Sequence, residues 1–324
     1  MPAIEAFVEA VKKQDLDTVN ALLKEAEVRE QINAPLLYFD APALVFAAGS
    51  GNIPLAAALL GAGADINLKS SWWAGGFAPI HNANAEMTEF LIEHGATIDV
   101  YAASKLGLTE RLIELLDANP ELAKEKGPDG MTALHFAATP QIADLLLKRG
   151  ADIEARDIDH GATAAQYAAG VRPEVCRFLV GRGADTDVFM AAAQGDKAEL
   201  ELILRAFSDL LNTTTTTGPH NPVPAPGEHI YVYQLAYGAS PLAVAALKHQ
   251  FEAAELLLGH GIEISKIVGK ATALHHAAWR GNREAVEFLL AHGADRMIQD
   301  LEFRSTPAGW ARHAGHTELA TLLD

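Results

Sequence analysis

The sequence feature that most constrains the fold is residues 272–295, TALHHAAWRGNREAVEFLLAHGAD, a unit that recurs in variant form along almost the whole chain. The apolar spacing in its two halves predicts two short helices, each apolar on one side. Gly281 is predicted to end the first helix and Gly293 the second, since glycine readily adopts the left-handed backbone conformation that closes a helix. A single pair of such helices cannot bury its apolar surface. Copies of the unit must therefore stack on one another into a solenoid.

The first half of this unit places Thr272, Leu274, His275 and Ala277 at the spacing of the T-P-L-H-x-A signature. With this signature and a period of about 33 residues, the sequence resembles the ankyrin repeat family. The resemblance implies that Thr272 caps the first helix and that His275 connects neighbouring loops by hydrogen bonds. It also implies an all-α fold class, and matching the repeat anchors along the chain predicts an ankyrin-repeat solenoid of about ten stacked helix pairs with short finger loops, two finger-less units and one long insert.

The repeat anchors predict a single ankyrin-repeat domain over residues 1–324. Its predicted parts are an N-terminal cap (1–33), repeats (34–206), an insert arm (207–239), and further repeats with a C-terminal cap (240–324). The unit at 131–153 is shortened, and Pro140 is predicted to begin its second helix. Helical sequence follows Asp99 and Asp185 almost at once, so the two units that start there are expected to lack a finger loop.

The insert is the longest departure from the repeat pattern. It contains the run Thr213–Thr217, three prolines within residues 222–226, and the alternating segment IYVYQ. The threonine run is expected to be flexible, and the prolines predict an extended arm. If the alternating segment is a strand, Tyr231 and Tyr233 share one face. A long insert in a compact array is usually functional or disordered, so the arm is a candidate cover for a binding site.

Charge and composition exclude several classes of function. The formal net charge of −17 argues against nucleic-acid binding and against anionic membrane surfaces, because both need clustered Lys and Arg. The charged N-terminal segment predicts neither a signal peptide nor a membrane span, which favours the cytoplasm. A single cysteine, Cys176, permits no intramolecular disulfide or thiolate metal cluster and is best interpreted as a small buried hydrophobe. No zinc, phosphate-loop or nucleophile-elbow motif occurs, and neither a metal nor a cofactor is expected.

In ankyrin arrays, the finger loops and first helices form a concave face. Positions transferred from the 272–295 unit, together with the fingers and the insert, predict a set of aromatic, histidine and aspartate side chains there. Aromatic residues with polar tips are typical of recognition surfaces. The predicted ligand-binding residues are Trp72, Trp73, Phe136, Asp157, Asp159, His160, Tyr167, His229, Tyr231, Tyr233, His276, Trp279, Trp310 and His313.

Each of these residues also has a structural interpretation. Trp279 and Trp310 could fill space between stacked helices. The Asp157–His160 run could orient a histidine, hold a divalent cation, or contact a polyol or cationic ligand, but aspartate is also common in finger turns. His276 and His313 are candidates for proton transfer, or they make ordinary polar contacts.

Two functional hypotheses remain open. The first is a soluble ankyrin-repeat recognition scaffold whose aromatic, His- and Asp-containing concave face binds a protein partner, with the negative charge favouring a basic one. The second is a cofactor-independent enzyme of hydrolase, lyase or isomerase type, which uses His and Asp as acid and base on a small-molecule ligand in a concave pocket under the insert. An enclosed pocket would favour a small ligand, and an open groove would favour a peptide.

Overall fold

The computed structural model describes residues 3–217 and 227–324. The secondary-structure elements in these ranges are all helices, and the β-bridges, such as that between Val268 and Ala271, are isolated. The predicted all-α fold class is confirmed. The chain divides into two compact units, Met1–Asp159 and His160–Asp324, called here the N-terminal unit and the C-terminal unit.

Short helices follow one another along the N-terminal unit. They are α1 (Ala3–Lys13), α2 (Leu16–Leu22), α3 (Ala26–Glu30), α4 (Ala43–Gly49), α5 (Ile53–Gly61), α6 (Pro79–Asn82), α7 (Ala85–Glu93), α8 (Val100–Leu106), α9 (Thr109–Ala118) and α10 (Pro140–Lys148). Four 3₁₀ segments accompany them, at Tyr38–Asp40, Pro120–Ala123, Pro128–Gly130 and Ala133–Phe136. The last of these replaces the first helix of its unit, and Pro140 begins α10, so the predicted shortening of the 131–153 unit is confirmed.

The C-terminal unit continues the pattern. Its helices are α11 (Ala164–Ala169), α12 (Pro173–Gly181), α13 (Val188–Gln194), α14 (Lys197–Ala206), α15 (Tyr231–Gln234), α16 (Pro241–Leu247), α17 (Phe251–Gly259), α18 (Ala273–Trp279), α19 (Arg283–Ala291), α20 (Pro307–His313) and α21 (Thr317–Leu323), with a 3₁₀ segment at Ser208–Asn212. Helices α16, α18 and α20 pack side by side in that order, each beside its own second helix. The apolar stripe of α19 is fully buried at Val286 and Leu289, and each such side chain contributes about 1.5–3 kcal/mol.

The Thr and His of the repeat signature hold each first helix in place. Thr272 caps α18, and its Oγ1 accepts a hydrogen bond from the backbone N–H of His275 at 3.4 Å. His275 Nδ1 lies 2.8 Å from Thr272 Oγ1, while its Nε2 lies 3.0 Å from the carbonyl oxygen of Ser305 in the following finger. The roles implied by the family resemblance are confirmed for both residues.

Aspartates take over the capping position where a finger loop is missing. Asp99 caps α8 and Asp187 caps α13, each accepting backbone N–H groups of the first turn. Each carboxylate also binds the side chain at the signature His position of the preceding unit. His81 Nε2 lies 2.9 Å from Asp99 Oδ2, and Gln166 donates to Asp187 Oδ2 at 3.0 Å. In these two units the aspartate therefore takes the part that a carbonyl oxygen of the following finger, that of Ser305, plays for His275.

The alternating segment of the insert forms a short helix, α15, and not a strand. Tyr231 is fully buried, its hydroxyl donates to Asp187 Oδ2 at 2.7 Å, and its ring lies 5.7 Å from that of Phe189. Tyr233 is 60% exposed, because residues two apart on a helix point in nearly opposite directions. The two tyrosines therefore do not share a face.

The threonine run is also ordered, contrary to the predicted flexibility. Thr214 and Thr215 are buried, and the Thr215 hydroxyl donates to the carbonyl oxygen of Ala236 on the far side of the insert. The backbone N–H of Thr215 donates to the carbonyl of Ala239 at 3.0 Å. These bonds join the two ends of the insert. The extended arm predicted from the prolines at 222–226 lies outside the described residues.

Candidate functional site

A cavity of about 680 Å³ opens in the C-terminal unit between the insert, helix α18 and helix α20 with its preceding finger. The lining residues are Val232, Ala236 and Tyr237 from the insert, His276, Trp279 and Arg280 from α18 and its C-cap, and Glu302, Phe303, Ser305, Gly309, Trp310 and His313 from the last finger and α20. This set is called the α18–α20 pocket below. It includes four of the predicted ligand-binding residues, His276, Trp279, Trp310 and His313. The tail of the insert forms one wall of the pocket.

Helix α18 delivers three of the pocket side chains through its own periodicity. His276, Trp279 and Arg280 stand three and four residues apart, so they share one helix face. The opposite face carries Leu274, Ala277 and Ala278, which are buried in the helix stack. An amphipathic helix with small residues towards its neighbours thus places an imidazole, an indole and a guanidinium in one pocket.

Asp300 fixes the finger and the indole on the other side of the pocket. Its Oδ1 accepts the backbone N–H groups of Glu302 and Phe303 at 2.8 and 2.6 Å. Its Oδ2 accepts the N–H of Ser305 at 2.9 Å and the indole Nε1–H of Trp310 at 3.0 Å. Burial opposes ionisation of this carboxyl, but the four donors outweigh it and lower its pKa to about 2. Asp300, ionised at neutral pH, therefore holds Phe303 and Trp310 where they line the pocket.

The aromatic rings of the pocket meet mainly edge to face. Trp279 and Trp310 have ring centroids 6.0 Å apart with an interplanar angle of 77°, and His276 meets Trp310 at 5.9 Å and 80°. His313 instead stacks on Trp279, at 5.7 Å and 22°. Such contacts fix ring orientation in addition to burying area. The prediction that His276 and His313 lie near the two tryptophans is confirmed.

His276 is the least satisfied polar group of the pocket. Its side chain is 7% exposed, and its Nε2 has no hydrogen-bond partner in the described part of the chain. Burial, with the nearby charges of His275 and Arg280, lowers the pKa of His276 to about 4. The ring is therefore neutral at pH 7, and its Nε2 is buried without a partner beside the pocket.

A second group of predicted residues gathers around the base of the insert. His160 Nδ1 lies 2.8 Å from the carbonyl oxygen of Glu228, and its ring lies 6.2 Å from Tyr167 and 5.6 Å from Tyr233. His229 Nε2 lies 3.4 Å from Gln166 Oε1. Tyr167 and His229 are buried. These contacts attach the insert to α11, so Tyr167, His229 and the buried Tyr231 serve the fold of the C-terminal unit.

The family of the chain follows from comparison with known protein families. A family model described as ankyrin repeats (3 copies) matches residues 100–190 and 188–300, which together exceed half of the sequence. The chain belongs to the ankyrin repeat family. The solved structures that it matches include the crystal structure of the human ASB11 ankyrin repeat domain, with 20% sequence identity, a TM-score of 0.43, and coverage of 69% of this chain and 97% of that chain. The search of curated proteins found no match.

In the N-terminal unit of this ankyrin-repeat chain, the predicted tryptophans form a smaller aromatic cluster. Trp72 is half-buried and packs edge-on against Phe39 at 5.0 Å, while Trp73, 53% exposed, lies 5.7 Å from Trp72. Trp72 Nε1 is buried and has no hydrogen-bond partner among the described residues.

The other predicted residues of the N-terminal unit lie mostly inside it. Phe136 is half-buried, with its ring 5.8 Å from Tyr101. Asp157 is buried, and Asp159 is half-buried with its backbone N–H directed at the carbonyl of Asp129. Asp157 is therefore not accessible to a ligand, whereas Asp159 is partly accessible.

Sequence reasoning missed eight of the twelve residues that line the α18–α20 pocket, among them Tyr237, Arg280 and Phe303. Arg280 could have been found from helical periodicity, since it lies one turn after His276. Phe303 and Tyr237 come from irregular segments whose position depends on packing, and their sequence neighbourhood gives no comparable signal. No helix within residues 3–217 and 227–324 has the length and apolar character needed to cross a bilayer.

Proposed function

We propose that this ankyrin-repeat chain is a recognition scaffold and that the α18–α20 pocket is where it binds a protein partner. The observation that carries the proposal is the exposure of large apolar side chains around a fixed cavity. Trp279, Tyr237 and Phe303 are 43%, 58% and 70% exposed. Exposed aromatics around a concave site are typical of binding hot spots, where a few Trp, Tyr and Arg side chains carry most of the affinity.

Rigidity of the pocket supports the same proposal. Trp310 is held by Asp300, Trp279 stacks on His313, and the finger carrying Phe303 is fixed by backbone bonds to the Asp300 carboxylate. Side chains that are fixed before binding lose less conformational entropy on association. The formal net charge of −17 further favours a partner with a basic surface, through faster association at low ionic strength.

Catalysis has no comparable support in the pocket. His276 is neutral, with a pKa lowered to about 4, and no carboxylate orients its Nε2 within the described residues. We therefore propose recognition alone. We also propose that the Trp72 and Trp73 cluster is a second contact surface. We propose the cytoplasm as the compartment, which expression of a tagged chain would test.

Site-specific photo-crosslinking tests the proposed site. A photoreactive phenylalanine analogue replaces Phe303 at the pocket, or Met297 in the same finger region, where the side chain is 66% exposed but lies outside the pocket lining. We expect one protein to be crosslinked from position 303, and its yield to fall when Trp279→Ala is added. Equal crosslinking from both positions, insensitive to Trp279→Ala, would refute the site.

A further inference from the structure

We infer that the α18–α20 pocket selects a carboxylate borne on an aromatic or apolar body, with Arg280 binding the carboxylate and His276 Nε2 forming a second polar contact. The inference rests on the proposed function only for the location of the site. It adds the chemistry of the group that enters it.

The charge around the pocket mouth carries the first step. Arg280 is exposed, lines the cavity, and has no ion-pair partner within residues 3–217 and 227–324. The pocket carboxylate, Glu302, is already engaged by Lys270, whose Nζ lies 2.8 Å from Glu302 Oε2. The carboxylate nearest to the finger backbone, Asp300, is used by its four donors. The guanidinium therefore stands as an unneutralised cation in a strongly acidic chain.

A second cation reinforces this local excess. Lys248 donates to the carbonyl oxygen of Gly170 at 2.7 Å, and its pKa is lowered by burial and then by the charge of Arg280. The two cations repel each other, and an anionic guest would relieve this repulsion. A planar guanidinium can bind a carboxylate through two parallel hydrogen bonds, which a point charge cannot do.

His276 supplies the second step. A buried polar nitrogen without a partner costs free energy, so native structures pair nearly all of them. Because His276 and Arg280 stand one helical turn apart, a guest whose carboxylate meets Arg280 lies beside the His276 ring. A carboxylate oxygen of that guest accepts the Nε2–H once it replaces the side chains that cover this buried atom. The imidazole is neutral, so this contact is an ordinary hydrogen bond and not an ion pair.

The walls define the rest of the guest. Trp279, Trp310 and Phe303 offer ring surfaces, and Val232 and Ala236 close the side formed by the insert. The volume of about 680 Å³ lies within the range of small-ligand sites, about 300–1,000 Å³. An aromatic or branched apolar body fits these walls better than a sugar or a polyol, because most of the surface that lines the pocket is apolar.

Matched small probes test the charge requirement by calorimetric titration of the full chain at low ionic strength. The probes are 3-phenylpropionate, its neutral amide, and 3-phenylpropylammonium. We expect the carboxylate to bind about fivefold more tightly than the amide, the value for a favourable exposed ion pair, and the ammonium most weakly. Arg280→Gln should abolish the preference for carboxylate over amide. Arg283→Gln, a matched change on the outer face of α19, should preserve it.

A second variant tests His276 separately. His276→Phe keeps a ring in place and removes Nε2, so it should weaken binding of both phenylpropionate and its amide by about threefold without changing their ratio. Melting curves of each variant verify that the pocket is folded. Unchanged affinities in a folded His276→Phe variant would remove the imidazole from the site.

A further comparison distinguishes a protein C-terminus from a small metabolite as the source of the carboxylate. A short peptide ending in phenylalanine, with a free or an amidated C-terminus, is compared with 3-phenylpropionate. Tighter binding of the free-ended peptide assigns the group to a protein end, and tighter binding of the small acid assigns it to a metabolite. Failure of every carboxylate probe, or equal affinity for acid and amide, overturns the inference. Crosslinking from position 303 would still stand in that case, so the proposed function is judged independently.

Discussion

Asp300→Asn is the perturbation that tests most sharply how the pocket is built. The wild-type carboxylate accepts four hydrogen bonds, two at each oxygen, and its side chain is 1% exposed. Asparagine keeps one acceptor oxygen and points an amide N–H₂ at two donors. Either the backbone N–H groups of Glu302 and Phe303 lose their acceptor, or the backbone N–H of Ser305 and the indole N–H of Trp310 lose theirs.

The size of the effect follows from the acidity of the group. The pKa of Asp300 falls from 3.8 to about 2 in the native state, which corresponds to about 2.4 kcal/mol of stabilisation of the ionised form. Loss of two hydrogen bonds to a charged acceptor gives a similar value, about 3 kcal/mol or more. We expect Asp300→Asn to lower the free energy of unfolding of the C-terminal unit by about 2–3 kcal/mol at pH 7.

The pH dependence has a definite sign. Since the native pKa lies below the unfolded value, the contribution of Asp300 is complete above pH 3.8 and is lost as the pH falls towards 2. The difference between wild type and Asp300→Asn should therefore shrink across this window. Urea unfolding is followed by tryptophan fluorescence in a background with Trp72→Phe and Trp73→Phe, so that the signal comes from Trp279 and Trp310 alone. Asp295→Asn is the control, because among the described residues Asp295 Oδ1 accepts only the backbone N–H of Met297. Equal stability of Asp300→Asn and Asp295→Asn, or a difference independent of pH, would refute the reasoning.

Two further substitutions test the insert and the finger of the N-terminal unit. Tyr231→Phe removes the buried hydroxyl bonded to Asp187 and should cost about 1–2 kcal/mol in denaturant unfolding. Burial raises the pKa of Tyr231 well above 10, so wild-type stability should be complete below pH 10 and decline above it, and Tyr231→Phe should remove that part of the decline. Gly75→Ala should cost at least about 2 kcal/mol in thermal or urea unfolding, because Gly75 has φ +127° and an added Cβ would lie 2.1 Å from the carbonyl oxygen of Gly127.

Matched changes separate these effects from general disturbance. Tyr233→Phe alters an exposed tyrosine on the same short helix and should change stability little. Gly63→Ala introduces a side chain at φ +98° with no heavy atom within 4 Å of the added Cβ, so it measures backbone strain without the clash. If Gly75→Ala costs no more than Gly63→Ala, the close approach to Gly127 is not a structural constraint.

The regular parts of the fold could be predicted because their signals are local. Residues within one helical turn determine three of these features: the pairing of Thr272 with His275, the start of α10 at Pro140, and the helix that directly follows Asp99. The family match confirms the class that these signals indicated. On α18, the same periodicity puts His276 and Trp279 on one helix face, and both residues line the α18–α20 pocket.

The irregular parts could not be predicted because long-range packing decides them. The alternating IYVYQ segment has the pattern of a strand, but the bond from Tyr231 to Asp187, 44 residues away, fixes it as a short helix. Thr215 is ordered by Ala236 and Ala239 at the other end of the insert. The positions of Tyr237 and Phe303 follow from such contacts, so the pocket as a whole was not readable from the sequence.

The most direct test of the central claim is the affinity of the partner captured through position 303 for two variants of this chain. Trp279→Ala removes an aromatic wall of the α18–α20 pocket, while Leu202→Ala removes a 64% exposed apolar side chain on α14, outside it. We expect Trp279→Ala to weaken binding by at least about tenfold, as for a hot-spot residue, and Leu202→Ala to change it less than about twofold. Equal affinities of the two variants would contradict the assignment of the pocket as the recognition site.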